Sequence, residues 1–173
     1  GAYNEFVAFD TETTGLAPSK GRIIEIGAIR FRDGKPVEKF RTLVNPGIPV
    51  PEEATEVNCI TDEMVAGAPT ISQVLPAFES FVGGSPLVAH NLEFDLKFMF
   101  YSGSTITDRK RKYYDTLEQS RKLLKKPKVR YDSETRSYEK DYDSDFDVDD
   151  HKLGTLCDYY GITAAGRHRS DAD

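Results

Sequence analysis

A chain of 173 residues, 38% of them hydrophobic, has the length for one globular domain that buries roughly 70% of the surface its unfolded chain exposes. No apolar stretch approaches the ~20 residues that cross a bilayer. The 29 acidic against 23 basic residues leave a net charge of -6, which argues against a broad basic face that coats nucleic acid, but not against an enzyme that meets phosphate through bound cations. Cys59 and Cys157 stand far apart with no Cys-x-x-Cys pair, so neither a disulfide framework nor a thiolate zinc site is indicated. Free thiols, and a start at Tyr3-Asn4-Glu5-Phe6 without a signal-peptide pattern, point to the cytoplasm.

Taken in order, the apolar run Phe6 to Phe9 predicts a buried strand, and strand alternation places the following Asp10 and Glu12 on one face. Residues 23 to 31 have strand composition, Asp33-Gly34 is a hairpin signal, and residues 39 to 44 read as the returning strand. Pro46, Pro49 and Pro51 punctuate a loop. Helical spacing then runs from Ile71 to Val82, followed by a short strand, residues 86 to 90.

Leu92 to Tyr101 reads as a helix whose apolar face includes Phe94 and Phe98, with Glu93 and Asp95 pointing elsewhere. Further helices are expected over 115 to 124 and 153 to 160, the latter ended by Gly161. Between them, residues 125 to 152 pass from a lysine cluster to alternating aspartates and are read as a solvated, mobile insertion, with His151 in solvent beside it. The aspartates do not form an EF-hand, because Phe146 stands where that loop needs glycine and Lys152 where it needs glutamate. Strands followed by interleaved helices and strands imply an α/β domain with a mixed sheet.

Chemistry concentrates in three separated clusters: Asp10 and Glu12, then Asp95, then His168 with Asp173. Four carboxylates and one imidazole suit a two-metal phosphodiesterase. A lone Asp-x-Glu is as often a solvated strand end, but the surrounding segments run in one order: Asp10-Thr11-Glu12-Thr13-Thr14-Gly15-Leu16, Ile23-Ile24-Glu25-Ile26-Gly27, Ala89-His90-Asn91 with Phe94-Asp95, and Arg167-His168-Arg169 with Asp173. Together with Asn45-Pro46, Ile60-Thr61-Asp62 and Asp115-Thr116-Leu117, this set resembles the DEDDh, or DnaQ-like, 3'-to-5' exonucleases, including the proofreading domains of bacterial DNA polymerase III.

The resemblance implies a ribonuclease H-like fold with a five-stranded mixed sheet flanked by helices, spanning residues 1–173 as a single domain. It also implies a final helix that would continue beyond Asp173. By position, Asp10, Glu12, Asp95 and Asp173 would ligate two Mg2+ or Mn2+ ions, and His168 would be the general base. Thr13, Gly15, Leu16, His90, Asn91 and Phe94 would meet the terminal nucleotide. The bland alternatives are core packing for Leu16 and Phe94 and helix capping for His90; Phe98 is assigned to the core.

The expected substrate is the 3' end of single-stranded or frayed DNA, with RNA not excluded, and the product a nucleoside 5'-monophosphate. A DNA polymerase or helicase, in the same chain or as a subunit, is the expected partner, and no membrane. The competing reading is a catalytically silent nucleic-acid-binding or polymerase-docking module of the same fold. Cys59 replaces the glycine common before Ile60-Thr61 in the family.

Overall fold

A computed structural model describes residues 4–108 and 110–161. Its backbone gathers into two compact units that meet in the sequence between Asp115 and Thr116. The first unit contains β1 (Glu5–Thr13), β2 (Ile23–Arg32), β3 (Lys35–Leu43), α1 (Glu52–Asn58), α2 (Asp62–Val65), α3 (Ile71–Val82), β4 (Leu87–Ala89), α4 (Leu92–Tyr101) and β5 (Tyr113–Asp115). Its five strands form the expected mixed sheet in the order β3-β2-β1-β4-β5.

The hairpin forms where Asp33-Gly34 predicts it, with both residues at positive φ (51° and 78°), as a tight turn between right-twisted strands requires. β3 is an edge strand, which is why Pro36, lacking an N–H, is tolerated in it. β1 is central: antiparallel to β2 along its whole length, but parallel to β4 only at Val7↔Leu87 and Ala8↔Val88. Beyond Ala8 that side of β1 is open to other partners.

The core lies under one face of the sheet, where Val7, Phe9, Ile26 and Ala28 pack with Phe78 and Val82 of α3 and Phe98 and Met99 of α4. Phe40 extends it through rings 5.6 Å from both Phe78 and Phe81. A smaller cluster of Ile24, Val50, Ile60 and Val65 holds α1 and α2. These two helices follow directly on the stretch that the prolines mark as a loop. α1 ends at Cys59, whose φ of 61° is left-handed. That conformation favours glycine and explains the family's residue at this position.

The second unit contains α5 (Thr116–Leu123), β6 (Lys128–Asp132), β7 (Ser137–Asp141) and α6 (Leu153–Tyr159). The insertion read as solvated and mobile is solvated, but it carries a β-hairpin in which Tyr131 faces Tyr138 with rings 5.3 Å apart. Asp132 turns the chain by accepting from the N–H of Glu134 and Thr135. The aspartates serve the unit's own cations: Asp145 pairs with Lys125 at 3.1 Å and Asp149 with Lys140 at 3.2 Å. His151, expected in solvent, is half-buried with Nδ1 2.6 Å from the Ser120 hydroxyl. No described helix is long and apolar enough to cross a membrane.

Candidate active site

Alternation along β1 separates two jobs. Val7, Phe9, Thr11 and Thr13 turn toward the interior, while Asp10 is exposed and Glu12 half-buried on the opposite face. Both carboxylates lie within the strand rather than at its end. Register sets Asp10 across from Gly27 and Glu12 across from Glu25. Glu25 is buried and pairs with Arg41 Nε at 3.4 Å, so the row of Glu12 holds a second carboxylate with its own cation.

Asp95 reaches this strand from α4. Leu92, Asp95 and Met99 share a helical stripe by their three- and four-residue spacing, and Asp95 is only 3% exposed. The expectation that Asp95 points away from the apolar face is therefore corrected. Its burial is possible because β4 stops short: on the open side of β1, Asp95 Oδ1 accepts from the Thr11 N–H at 3.2 Å and from the Thr11 hydroxyl at 2.5 Å. A side chain thus completes what the missing strand would have paired.

Burial pushes the Asp95 carboxyl well above the usual carboxylate range, and the charge of Asp10 pushes it further; the Thr11 bonds pull it back, and Glu12 adds to the rise. Asp10 and Glu12 thus lie near enough to Asp95 for their charges to act on it. Among the described residues no group of three or more histidine, cysteine, aspartate or glutamate side chains is placed so that it could hold a metal ion. The donor chemistry nevertheless fits a hard divalent cation, which prefers carboxylate oxygen and would relieve the mutual repulsion that Asp95 registers. His168 and Asp173 lie outside the described residues.

The loop after β1 is tied back on itself. Thr13 Oγ donates to the Gly15 carbonyl at 2.7 Å, and the Thr13 carbonyl accepts from Asn58 Nδ2 at 3.3 Å. Nothing lies within 4 Å of where a Cβ on Gly15 would stand, so the space beside it is open. Leu16 is 86% exposed, which removes its core alternative. Phe94 is half-buried against the core with its ring 4.9 Å from that of Phe98, and Phe98 is fully buried as expected.

His90 is a half-buried turn residue after β4, and Asn91 is exposed with φ 66°. The first amides of α4 are capped by Asp115, which accepts from the N–H groups of Asn91 and Leu92 at 3.0 and 3.2 Å. Sequence reading missed Thr11 as the latch on Asp95, Asp115 as the cap and Asn58 as the tie beneath Thr13. Only Thr11 carried a visible signal, standing between the two strand carboxylates.

The exonuclease family model RNase_T matches residues 7–173. A PolC-type DNA polymerase III of Caldanaerobacter subterraneus subsp. tengcongensis is 36% identical over 98% of this chain, and a DNA polymerase III subunit epsilon-like protein of Rhodobacter capsulatus is 53% identical over 54%. The chain spans only 11% and 14% of the length of these two relatives. Among solved structures, E. coli exonuclease I in complex with a dT13 oligonucleotide superposes over 99% of this chain and 39% of its own, with a TM-score of 0.70 at 18% identity. Exonuclease X in complex with 5' overhanging duplex DNA covers 68% of this chain and 63% of its own, with a TM-score of 0.56 at 32% identity. With a ribonuclease H-like sheet and a family match over nearly its whole length, the chain belongs to the DnaQ-like 3'-to-5' exonucleases.

Proposed function

We propose that the chain is a divalent-metal-dependent 3'-to-5' exonuclease domain that hydrolyses the last phosphodiester of a single-stranded or frayed DNA 3' end and releases a nucleoside 5'-monophosphate. The observation that carries this reading is that Asp95 is bonded to Thr11, the residue between Asp10 and Glu12, near enough for the charges of both to raise its proton affinity. DNA as substrate is supported by relatives solved with a dT13 oligonucleotide and with overhanging duplex DNA. A role in proofreading or repair beside a DNA polymerase, in the same chain or as a subunit, is supported by the polymerase III relatives.

Asp10, Glu12 and Asp95, with Asp173, would hold two Mg2+ or Mn2+ ions. When bound, such ions supply an activated water and stabilise the leaving 3'-oxygen. The chain's own residues do the rest. Thr11 orients the Asp95 carboxylate. Leu16 and the open space at Gly15 receive the terminal nucleotide, with His90 and Asn91 beside it and Phe94 supporting from the core. His168 takes the proton of the attacking water. Two free thiols, Cys59 and Cys157, suit a reducing cytoplasm.

The test is stepwise shortening of a 5'-labelled single strand in Mg2+ or Mn2+, with nucleoside 5'-monophosphate as product, run in parallel on DNA and RNA. Faster loss from DNA is expected. A folded chain that shortens neither strand is the silent module instead.

A further inference from the structure

We infer that Asp115 is a positioning residue for the nuclease reaction, fixing the start of α4 and so the place of Asp95; this rests on the metal-dependent reading above. The first amides of a helix need acceptors, usually given by the Ser, Thr, Asp or Asn immediately before it. α4 lacks that provision. Asn91 stands at its cap position in the left-handed region (φ 66°, ψ 56°), and its side chain makes no capping bond.

The acceptor arrives instead from another strand. Asp115 pairs in register with Ala89, so β5 sets its carboxylate beside the turn that begins α4. Oδ1 then takes the Asn91 N–H at 3.0 Å and Oδ2 the Leu92 N–H at 3.2 Å. With both oxygens engaged the carboxylate is fixed in orientation, and it sits at the helix end that favours negative charge. Leu92 lies three residues before Asp95, less than one turn away.

A chain of fixed geometry follows: the sheet holds Asp115, Asp115 holds the first turn of α4, and that turn aims Asp95 at Thr11. The left-handed backbone of Asn91 persists because its surroundings hold it there. Without the two bonds it relaxes and the first turn shifts. A displacement of about 1 Å at a reacting group is enough to cost on the order of a hundredfold in rate.

The experiment compares the parent chain with Asp115→Asn and Asp115→Ala. Mn2+ binding is measured by calorimetry without nucleic acid, amide exchange at Asn91 and Leu92 by NMR, and kcat and KM on a labelled DNA strand. Expected are faster exchange at those two amides, an Mn2+ dissociation constant raised about tenfold, and a loss in kcat with KM little changed, Asp115→Asn lying between the parent and Asp115→Ala. Folded variants that bind Mn2+ and turn over like the parent, with only a lower Tm, would overturn the inference and leave Asp115 a part of the fold. If Asp115→Ala does not fold, Asp115→Asn, which keeps one acceptor, decides. A parent that binds Mn2+ but shortens no strand sinks the nuclease reading alone, the inference then standing or falling on Mn2+ binding; a parent that binds no Mn2+ overturns both.

Discussion

Thr11 holds a single oxygen of Asp95 with two donors, its backbone N–H and its hydroxyl. One residue of β1 therefore serves the interior and the site at once, because its neighbours Asp10 and Glu12 point the other way. Thr11→Val keeps the shape and the backbone bond and removes the hydroxyl. The expected result is a roughly 10- to 100-fold loss of nuclease activity, with stability reduced by about 1 kcal/mol. Unchanged activity would show that the backbone N–H alone aims the carboxylate.

Asp95→Asn separates stability from activity. Because the folded carboxyl titrates above its unfolded value, the folded state holds the extra proton, and stability falls as pH rises from the unfolded value toward the folded one. The metal-free parent is therefore penalised at neutral pH, and the neutral amide is not. Asp95→Asn should raise the metal-free Tm at pH 7, flatten the fall of Tm as pH rises above about 4, and lower activity by roughly 10³-fold. A lower Tm at pH 7 would contradict the assignment of burial and repulsion as the source of the shift.

Adding cation should reverse that penalty. Mn2+ at about 100 times its dissociation constant stabilises a folded state by roughly 2.7 kcal/mol, so the parent's Tm should climb with Mn2+ while those of Asp10→Asn and Asp95→Asn stay nearly level. Calorimetric melts across an Mn2+ series give the comparison, and equal gains in all three would place the ion elsewhere.

In the second unit, burial lowers the pKa of His151, with Lys126 and Arg121 lowering it further. A histidine held neutral in the folded state contributes stability above its unfolded pKa of about 6.5, and that contribution is lost as pH falls through the lower folded value. Amide protection over α5 and the β6–β7 hairpin, with the intrinsic pH dependence of exchange divided out, should therefore fall below about pH 6.5. His151→Gln, which does not titrate, should remove that dependence; a persisting acid response would point to the aspartates instead.

Cys59 bears a left-handed backbone without being glycine. Cys59→Gly should raise stability by about 1 kcal/mol, the relief of the Cβ clash exceeding the added freedom of the unfolded chain. Urea unfolding measures it directly.

How much was readable depended on whether one element or two decided a residue's fate. Asp10 and Glu12 were placed correctly because strand alternation is local, and the Asp33-Gly34 turn and the helices over 71–82 and 92–101 follow from equally local signals. Asp95 was recognised but aimed wrongly. An aspartate on an apolar helical stripe is buried only when donors arrive from elsewhere, and those belong to a threonine 84 residues away. α1 escaped notice because seven residues following three prolines have little helical tendency of their own and are held by Val50, Ile60 and Val65. The β6–β7 hairpin turns without glycine or proline and is dense in charge, so only Val129, Tyr131 and Tyr138 hinted at it.

The two-sidedness of β1 also sets where this chain can change length. A single inserted or deleted residue between Phe6 and Glu12 would carry the carboxylates into the core and Phe9 out of it, so fold and chemistry would fail together. The Ser133–Arg136 turn joins strands whose side chains are mostly exposed, and lengthening it disturbs neither. Inherited variation in length should thus accumulate at that turn and be purged from β1, leaving the spacing from Asp10 to Glu12 as the least negotiable distance in the gene.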